Sequence, residues 1–435
     1  MHSYPGFGSR PSGKNAQRGS LDTVAGRAHA RRHTKDGATG AHLWLRMQMP
    51  SLLTTLRGSG RLPSIVVGLF VLAGLVGPLH LLMPARAKAH AVLPPVAVGT
   101  SFSPLRAANL GLDYQSAFKQ LETMHFRVIR LSAYWNEVDA FGYGDLDWLT
   151  AEAERSGQPI VLSVGMKGVG WPEFYIPPAA FTGPTPAAGH DVTQDPGLRD
   201  AAMLFVENTV VRYRHNRALY AWQIENEPFN RAGPSHWWIS PSFVSDEIEA
   251  TRSLDDRHRP VIVNAFGHFN LFFDQASNRD GLDLRSLLGF EGDSAEKESL
   301  SVLNQGDILG LDVYTGIGYQ LMGGNHLSRA GSDWPEQIAH WRTVARAQGK
   351  QVWITEAQAE PWEASMTTYT NPKSVSPAAI RTMFGALKDG GYNTILLWGS
   401  EYWLWRAASG DTQWIDTVQS ILHSEARAPS LTLVT

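Results

Sequence analysis

Eight short apolar runs, each separated from the next by a helical pattern, constrain the fold of this 435-residue chain more than any other feature. Strands that alternate with helices form parallel sheets, because each helix returns the chain to the edge where the next strand begins. Eight such units between residues 92 and 425 predict an α/β protein of the (β/α)8 TIM-barrel class. The predicted strands are Val96–Ser101, Phe126–Leu131, Pro159–Gly165, Leu219–Glu225, Val261–Ala265, Ile308–Val313, Val352–Thr355 and Thr394–Trp398.

Three of the intervening helices have clear start signals. A capping side chain followed by a first-turn proline is a typical helix start, and it occurs at Asp195-Pro196, Ser240-Pro241 and Ser376-Pro377. The last helix is predicted near Asp411–His423, and the stretch 266–306 is expected to hold a long loop or short helices. An open doubly wound sheet is the alternative, but the first strand is followed by Gly99-Thr100-Ser101-Phe102 rather than a Gly-rich phosphate loop.

The N-terminal region differs from the barrel. Residues 1–60 are rich in Gly, Ser, Arg and His without periodicity, which predicts disorder or an incorrectly assigned start codon. Residues 61–91 are predicted to be a signal peptide or membrane anchor, since the run 64–83 is apolar and uncharged and Ala89-His90-Ala91 fits a cleavage site. We therefore expect an extracytoplasmic protein, either secreted and starting near Val92 or tethered through residues 64–83. Residues 426–435 are a tail.

Composition excludes several classes of function. The chain has no cysteine, so disulfides, thiolate metal sites and cysteine nucleophiles are absent. Its net charge of −3 offers no electrostatic basis for binding nucleic acid. The sequence also lacks the His-Glu-x-x-His, His-x-His and Gly-x-Ser-x-Gly patterns of zinc and serine hydrolases. We expect no metal and no cofactor.

Catalytic groups of a barrel lie at the carboxyl ends of its strands. Glu227 follows predicted strand four and Glu356 ends strand seven, so two carboxyl groups are expected to face one cavity. Two carboxyl groups with different pKa values are what cleavage of a glycosidic bond requires, one as proton donor and one as nucleophile. Arg130 and Tyr314 are suited to keeping Glu356 ionised, and Asn226 offers an amide for a sugar 2-hydroxyl.

These motifs together resemble glycoside hydrolase clan A, and most closely the cellulase-like family five. The resemblance covers residues 96–425 and rests on "VIRLSAYWNEVD" (128–139), "WQIENEPFN" (222–230), "LDVYTG" (311–316), "VWITEAQAEPW" (352–362) and "LLWGSEYW" (396–403). It implies a retaining glycosidase in which Glu227 is the acid/base and Glu356 the nucleophile. The expected substrate is an oligo- or polysaccharide with β-linkages. Trp398 is expected to form the floor of the sugar site.

The chain departs from the family pattern at two positions. Asp312 stands two residues before Tyr314, where family five usually has a histidine, and Gly165-Met166-Lys167 replaces a histidine that commonly follows strand three. His268 and Glu401 also follow strands and are further candidates for contacts with sugar hydroxyls. Two alternatives remain open: a carbohydrate-binding barrel without catalysis, and a transglycosylase that acts on cell-surface glycan.

Overall fold

Eight parallel strands close into a barrel in the computed structural model of the protein, as the strand pattern predicted. The structure describes residues 95–270, 294–365 and 369–427. The barrel strands are β1 Ala97–Ser101, β2 Ile129–Ser132, β3 Ile160–Val164, β4 Leu219–Ile224, β5 Val261–Gly267, β6 Ile308–Val313, β9 Gln351–Gln358 and β10 Thr394–Trp398. The order around the barrel is β1-β10-β9-β6-β5-β4-β3-β2, which follows the chain.

Helices connect the strands on the outside of the barrel. They are α1 Pro104–Asn109, α2 Tyr114–Thr123, α3 Trp135–Phe141, α4 Gly144–Ser156, α5 Pro196–Tyr213, α6 Pro241–Leu254, α7 Ala295–Val302, α8 Trp334–Ala347, α9 Pro377–Asp389, α10 Ser400–Ala408 and α11 Gln413–Ser424. Three of them begin at the predicted prolines. Asp195 and Ser376 cap backbone N–H groups of their helices, whereas Ser240 makes no capping bond and its hydroxyl contacts Thr193 instead.

The alternation of side chains along each strand separates two apolar cores. On β5, for example, Val261, Val263 and Ala265 pack outward against the helices, while Ile262 points into the barrel. The inner core consists of Val128, Val161, Ala221, Ile262, Ile308, Trp353 and Leu396. Two residues further along several strands, the inward positions become polar. This layering places an apolar plug at the bottom of the barrel and a polar site at its carboxyl end.

One element was not predicted from the sequence. After β6 the chain forms an antiparallel hairpin, β7 Gly316–Leu321 and β8 Gly324–Arg329. Its turn contains Met322 and Gly323, both with positive φ, the backbone geometry that suits tight hairpin turns. A Gly-Gly pair after a short alternating run was the available signal.

Several expectations fall outside the described part of the chain. These are the extension 1–60, the signal or anchor segment 61–91, residues 271–293 of the uncertain stretch, and residues 428–435 of the tail. Within the ranges that are described, no helix combines the length and apolar character needed to cross a bilayer.

Candidate active site

Glu356 lies near the end of β9 and is held by two partners that the sequence predicted. Arg130, fully buried in β2, donates from Nη2 to Glu356 Oε1 at 2.5 Å. The Tyr314 hydroxyl, just after β6, donates to Glu356 Oε2. Burial raises the pKa of Tyr314 well above its usual value, and the Glu356 carboxylate adds to the rise, so the phenol stays a hydrogen-bond donor. Both oxygens of Glu356 therefore receive a donor that stabilises the ionised form.

Glu227 lies opposite, in a backbone conformation that strand geometry does not favour. Glu225 and Glu227 both have positive φ, at 57° and 48°, a conformation that costs a non-glycine residue about 1–3 kcal/mol. Two hydrogen bonds hold the turn: Asn264 Oδ1 accepts from Glu227 N at 2.8 Å, and Lys167 Nζ donates to the Glu227 carbonyl at 2.6 Å. The turn directs the Glu227 side chain into the barrel mouth.

The electrostatic setting of Glu227 differs from that of Glu356. Burial raises the pKa of Glu227 to about 7; the nearby Lys167 ammonium opposes this rise and the Glu356 carboxylate adds to it. One carboxyl oxygen from each glutamate lies within 4.8 Å of the other. The site thus combines a carboxyl group with a raised pKa of about 7 and a second carboxyl group that accepts from Arg130 and Tyr314.

Lys167 was noted in the sequence only as a departure from the family pattern, yet it is a central part of the site. Its side chain is fully buried, and its Nζ lies 3.8 Å from Glu227 Oε2 and 4.0 Å from Glu173 Oε2. The loop that carries it is fastened by Glu225, whose carboxylate accepts from the backbone N–H groups of Met166 at 2.8 Å and Lys167 at 2.5 Å.

Glycine is needed where this loop leaves β3. A Cβ on Gly165 would lie 2.3 Å from the Glu225 carboxyl carbon, and the residue has φ of 138°. Local sequence patterns do not predict this contact, because it joins residues sixty positions apart that follow two different strands.

A network of amides and a third carboxyl group lies between the two glutamates. Asn226 Oδ1 accepts from Asn264 Nδ2 at 3.0 Å and from Gln223 Nε2 at 3.2 Å, which leaves the amide nitrogen of Asn226 as the atom suited to a sugar hydroxyl. Asn264 Nδ2 also donates to Asp312 Oδ2 at 2.6 Å. Asn264 and Gln223 were not predicted as site residues, although both point inward on strands that the pattern identified.

Trp398 ends β10 and belongs to an apolar cluster with Tyr314 at the barrel mouth. Its indole N–H donates to Glu360 Oε1 at 3.0 Å, and the guanidinium of Arg106 lies 5.1 Å from its ring centroid. The Trp398 side chain is thereby fixed at the rim, where it was predicted to support a sugar ring.

Two residues that were predicted to bind sugar, His268 and Glu401, contact other groups of the protein in the structure. His268 is fully buried and its ring nitrogens contact the Tyr314 carbonyl at 2.7 Å and Ser328 Oγ at 2.9 Å. Glu401 accepts from Ser103 N at 2.5 Å and lies 3.9 Å from Arg106 Nε. Both side chains are buried and hydrogen-bonded within the protein, and their predicted contacts with sugar hydroxyls stay a prediction.

Glu227, Asp312 and Glu356 are close enough to be considered as metal ligands. Arg130 and Tyr314 already donate to both oxygens of Glu356, and a guanidinium beside the cluster disfavours a second cation. The donor set therefore does not fit a resident metal.

Comparisons with known proteins agree with the resemblance that the motifs predicted. No family model matches the chain. The chain is 25% identical over 123 residues to mannan endo-1,4-beta-mannosidase A of Aspergillus aculeatus, a match that covers 28% of this chain and 31% of that protein. The chain thus spans less than a third of the length of this curated relative.

A solved β-galactosidase structure shares the barrel fold. A β-galactosidase from Rahnella sp. R3 superposes with a TM-score of 0.50 at 12% identity, covering 78% of this chain and 57% of the other. A GH5_18 protein from Streptomyces cattleya, solved in complex with GlcNAc, gives 0.46 at 11% identity and covers 70% of both chains. The barrel implied by the clan A resemblance is confirmed, and the relatives that share it are glycosidases.

Proposed function

We propose that the protein is a retaining glycoside hydrolase that cleaves β-glycosidic bonds by double displacement. The observation that carries the proposal is the pair Glu227 and Glu356, whose nearest carboxyl oxygens lie within 4.8 Å. Retaining enzymes separate their two carboxyl groups by about 5–5.5 Å, whereas inverting enzymes need about 6.5–9.5 Å to admit a water. The short separation supports nucleophilic attack by a carboxylate.

In the first step Glu356 attacks the anomeric carbon while Glu227 transfers its proton to the departing oxygen. The glycosidic C–O bond breaks and a glycosyl ester of Glu356 forms. Arg130 and Tyr314 orient the attacking carboxylate. In the second step a water gives its proton to Glu227, its oxygen attacks the anomeric carbon, and the ester bond breaks. The Glu227 pKa of about 7 suits a group that must act as acid and then as base.

We propose β-1,4-linked mannan and β-mannosides as the first substrates to test. Support comes from the name of the curated relative, which acts on mannan. Aryl β-glucosides and β-galactosides complete the screen, because one barrel accommodates many specificities.

Substitution of the two glutamates tests the assignment. On an aryl β-glycoside with a good leaving group, we expect Glu356→Ala to abolish turnover, since no other group forms the intermediate. Glu227→Ala should still release the aryl group once and then accumulate glycosyl-enzyme for want of a base. Added azide should rescue Glu227→Ala and give a β-glycosyl azide, and with Glu356→Ala it should give product of inverted configuration.

Glu207, on the outer helix α5, provides a matched control, because Glu207→Ala should leave all rates unchanged. Product configuration is read by nuclear magnetic resonance. Exchanged behaviour of the two variants would reverse the roles, and a folded wild type that is inert on every glycoside would favour a binding protein.

A further inference from the structure

Asp312 contributes a third carboxyl group to the site, and the mechanism above does not use it. Its side chain lies at the end of β6 and is 1% exposed. Oδ2 accepts from Asn264 Nδ2 at 2.6 Å, and Oδ1 contacts Thr355 Oγ1 at 2.6 Å. One carboxyl oxygen each of Asp312, Glu227 and Glu356 lies within 4.8 Å of the other two.

Three buried carboxyl groups this close do not all stay ionised, because each carboxylate disfavours the charge of its neighbours. The two groups that donate hydrogen bonds to Asp312, Asn264 and Thr355, are neutral. The cation of this region, Arg130, donates to Glu356, and the Lys167 ammonium lies beside Glu227. A buried carboxyl group without its own cation is the one that retains the proton.

We propose that Asp312 is a positioning residue that remains protonated and donates a hydrogen bond to the carboxyl group of Glu227. The inference rests on the proposed function of Glu227. It identifies a hydrogen-bond donor for the acid/base at the position where the sequence departs from the family pattern. The Asp312 proton is not transferred during the reaction.

The charges around the pair support this assignment. Asp312 faces Glu356, Glu227 and Arg130, and Glu227 also faces Lys167 and Glu173. Burial raises the pKa of Asp312 well above its usual value, and the two glutamates add to the rise. When Glu227 loses its proton to the leaving group, the Asp312 hydroxyl and the Lys167 ammonium stabilise the new carboxylate.

The pH dependence of kcat/KM distinguishes a protonated Asp312 from an ionised one. The informative part is the alkaline limb, where kcat/KM falls as the acid loses its proton. Asp312→Asn keeps a donor toward Glu227 and should shift the limb by less than about half a pH unit, because no charge is removed. An ionised Asp312 would give the opposite result: its removal would strengthen Glu227 as an acid and move the limb down by about one unit or more.

Asp312→Leu removes the donor. We expect the limb to move to higher pH, with a fall of about tenfold in kcat/KM on substrates with poor leaving groups. Substrates with activated leaving groups should lose little, since they need no acid. An equal loss on both kinds of substrate, or a limb that does not move, would overturn the positioning role.

Infrared spectroscopy tests the protonation state without relying on activity. The difference spectrum between wild type and Asp312→Asn at neutral pH should show the loss of a protonated carboxyl band, and the loss of a carboxylate band instead would overturn the proposal. Thr355→Val is the control and should keep the protonated band. A wild type that shows this band but cleaves no glycoside would contradict the proposed function while leaving the protonation of Asp312 intact.

Discussion

Lys167 places an ammonium group 3.8 Å from Glu227 Oε2 in a position closed to water. An opposite charge at this distance lowers the pKa of a carboxyl group by about 1–3 units. Lys167 therefore keeps the Glu227 pKa near 7, whereas burial alone would raise it further. At the scale of single residues, the pKa of Glu227 is therefore set by neighbours that are distant in the chain.

We predict that Lys167→Met moves the alkaline limb of kcat/KM to higher pH. The sign follows from the charge: without the ammonium, Glu227 binds its proton more tightly and stays a competent acid at higher pH. The expected shift is about one pH unit or more, measured with a glycoside that needs acid assistance.

Lys350→Met is the matched control for this experiment. Lys350 is also buried and donates to a backbone carbonyl, that of Leu300 at 2.5 Å, but it lies in the turn before β9, away from the carboxyl end of the barrel. Its loss should lower the free energy of unfolding without moving the pH profile. A similar profile shift in both variants would show that the effect of Lys167 is not electrostatic.

At the scale of secondary-structure elements, the β7–β8 hairpin packs against residues at the barrel mouth. Ile317 of the hairpin packs in the cluster that contains Tyr314 and Trp398. Gln358, at the end of β9, fastens the start of the hairpin, because its Oε1 accepts from the backbone N–H groups of Thr315 and Gly316 at 3.0 Å. The hairpin thus supports the residues that line the barrel mouth.

Gly318 allows the hairpin to lie against the chain after β9. A Cβ at this position would lie 2.3 Å from Ala364 N, and backbone cannot yield as a flexible side chain can. We predict that Gly318→Ala displaces the hairpin, lowers the free energy of unfolding by about 1–3 kcal/mol, and lowers kcat/KM by about ten- to a hundredfold. Urea unfolding and steady-state kinetics measure the two effects.

Gly385→Ala is the control, because a Cβ there meets no atom within 4 Å. This glycine is in helix α9, so alanine should stabilise the protein by about 0.5–1 kcal/mol and leave kinetics unchanged. If the two alanine variants behave alike, the close approach at Gly318 is not what positions the hairpin.

At the scale of the whole molecule, closure of the barrel brings the first strand next to the last strand and to the segment after the last helix. Strand β1 pairs with both β2 and β10. Just before it, Val96 N donates to Glu425 Oε2 at 2.9 Å, and Lys388 Nζ donates to Glu425 Oε1 at 2.5 Å. Glu425 therefore connects the entry to β1 with the segment that follows the last helix.

We predict that Glu425→Ala lowers the free energy of unfolding by about 1–3 kcal/mol, because it leaves the buried Val96 N–H without an acceptor. Glu425→Gln retains an oxygen for Val96 N and should cost less than half as much. Urea unfolding at pH 7 compares the two. Equal losses would mean that the ion pair with Lys388, and not the Val96 bond, stabilises closure.

The sequence alone determined the barrel and several of the polar residues that meet at its carboxyl end. Strand periodicity is local, and the inward residue at the end of each strand follows from it, so Arg130, Asn226, Tyr314 and Glu356 could be predicted to converge. The helix starts at Pro196 and Pro377 followed from local capping chemistry in the same way.

The tertiary structure decided which of the predicted side chains form hydrogen bonds with other parts of the protein. It also decided which charged neighbours surround each carboxyl group. His268 and Glu401 follow strands as the site residues do, but their partners come from the hairpin and from the segment after β1. Lys167, which follows β3, and Asp312, in β6, both lie close to Glu227, which follows β4. Burial and the distance between charges set a pKa, and both depend on contacts between residues far apart in the chain, which local sequence patterns do not encode.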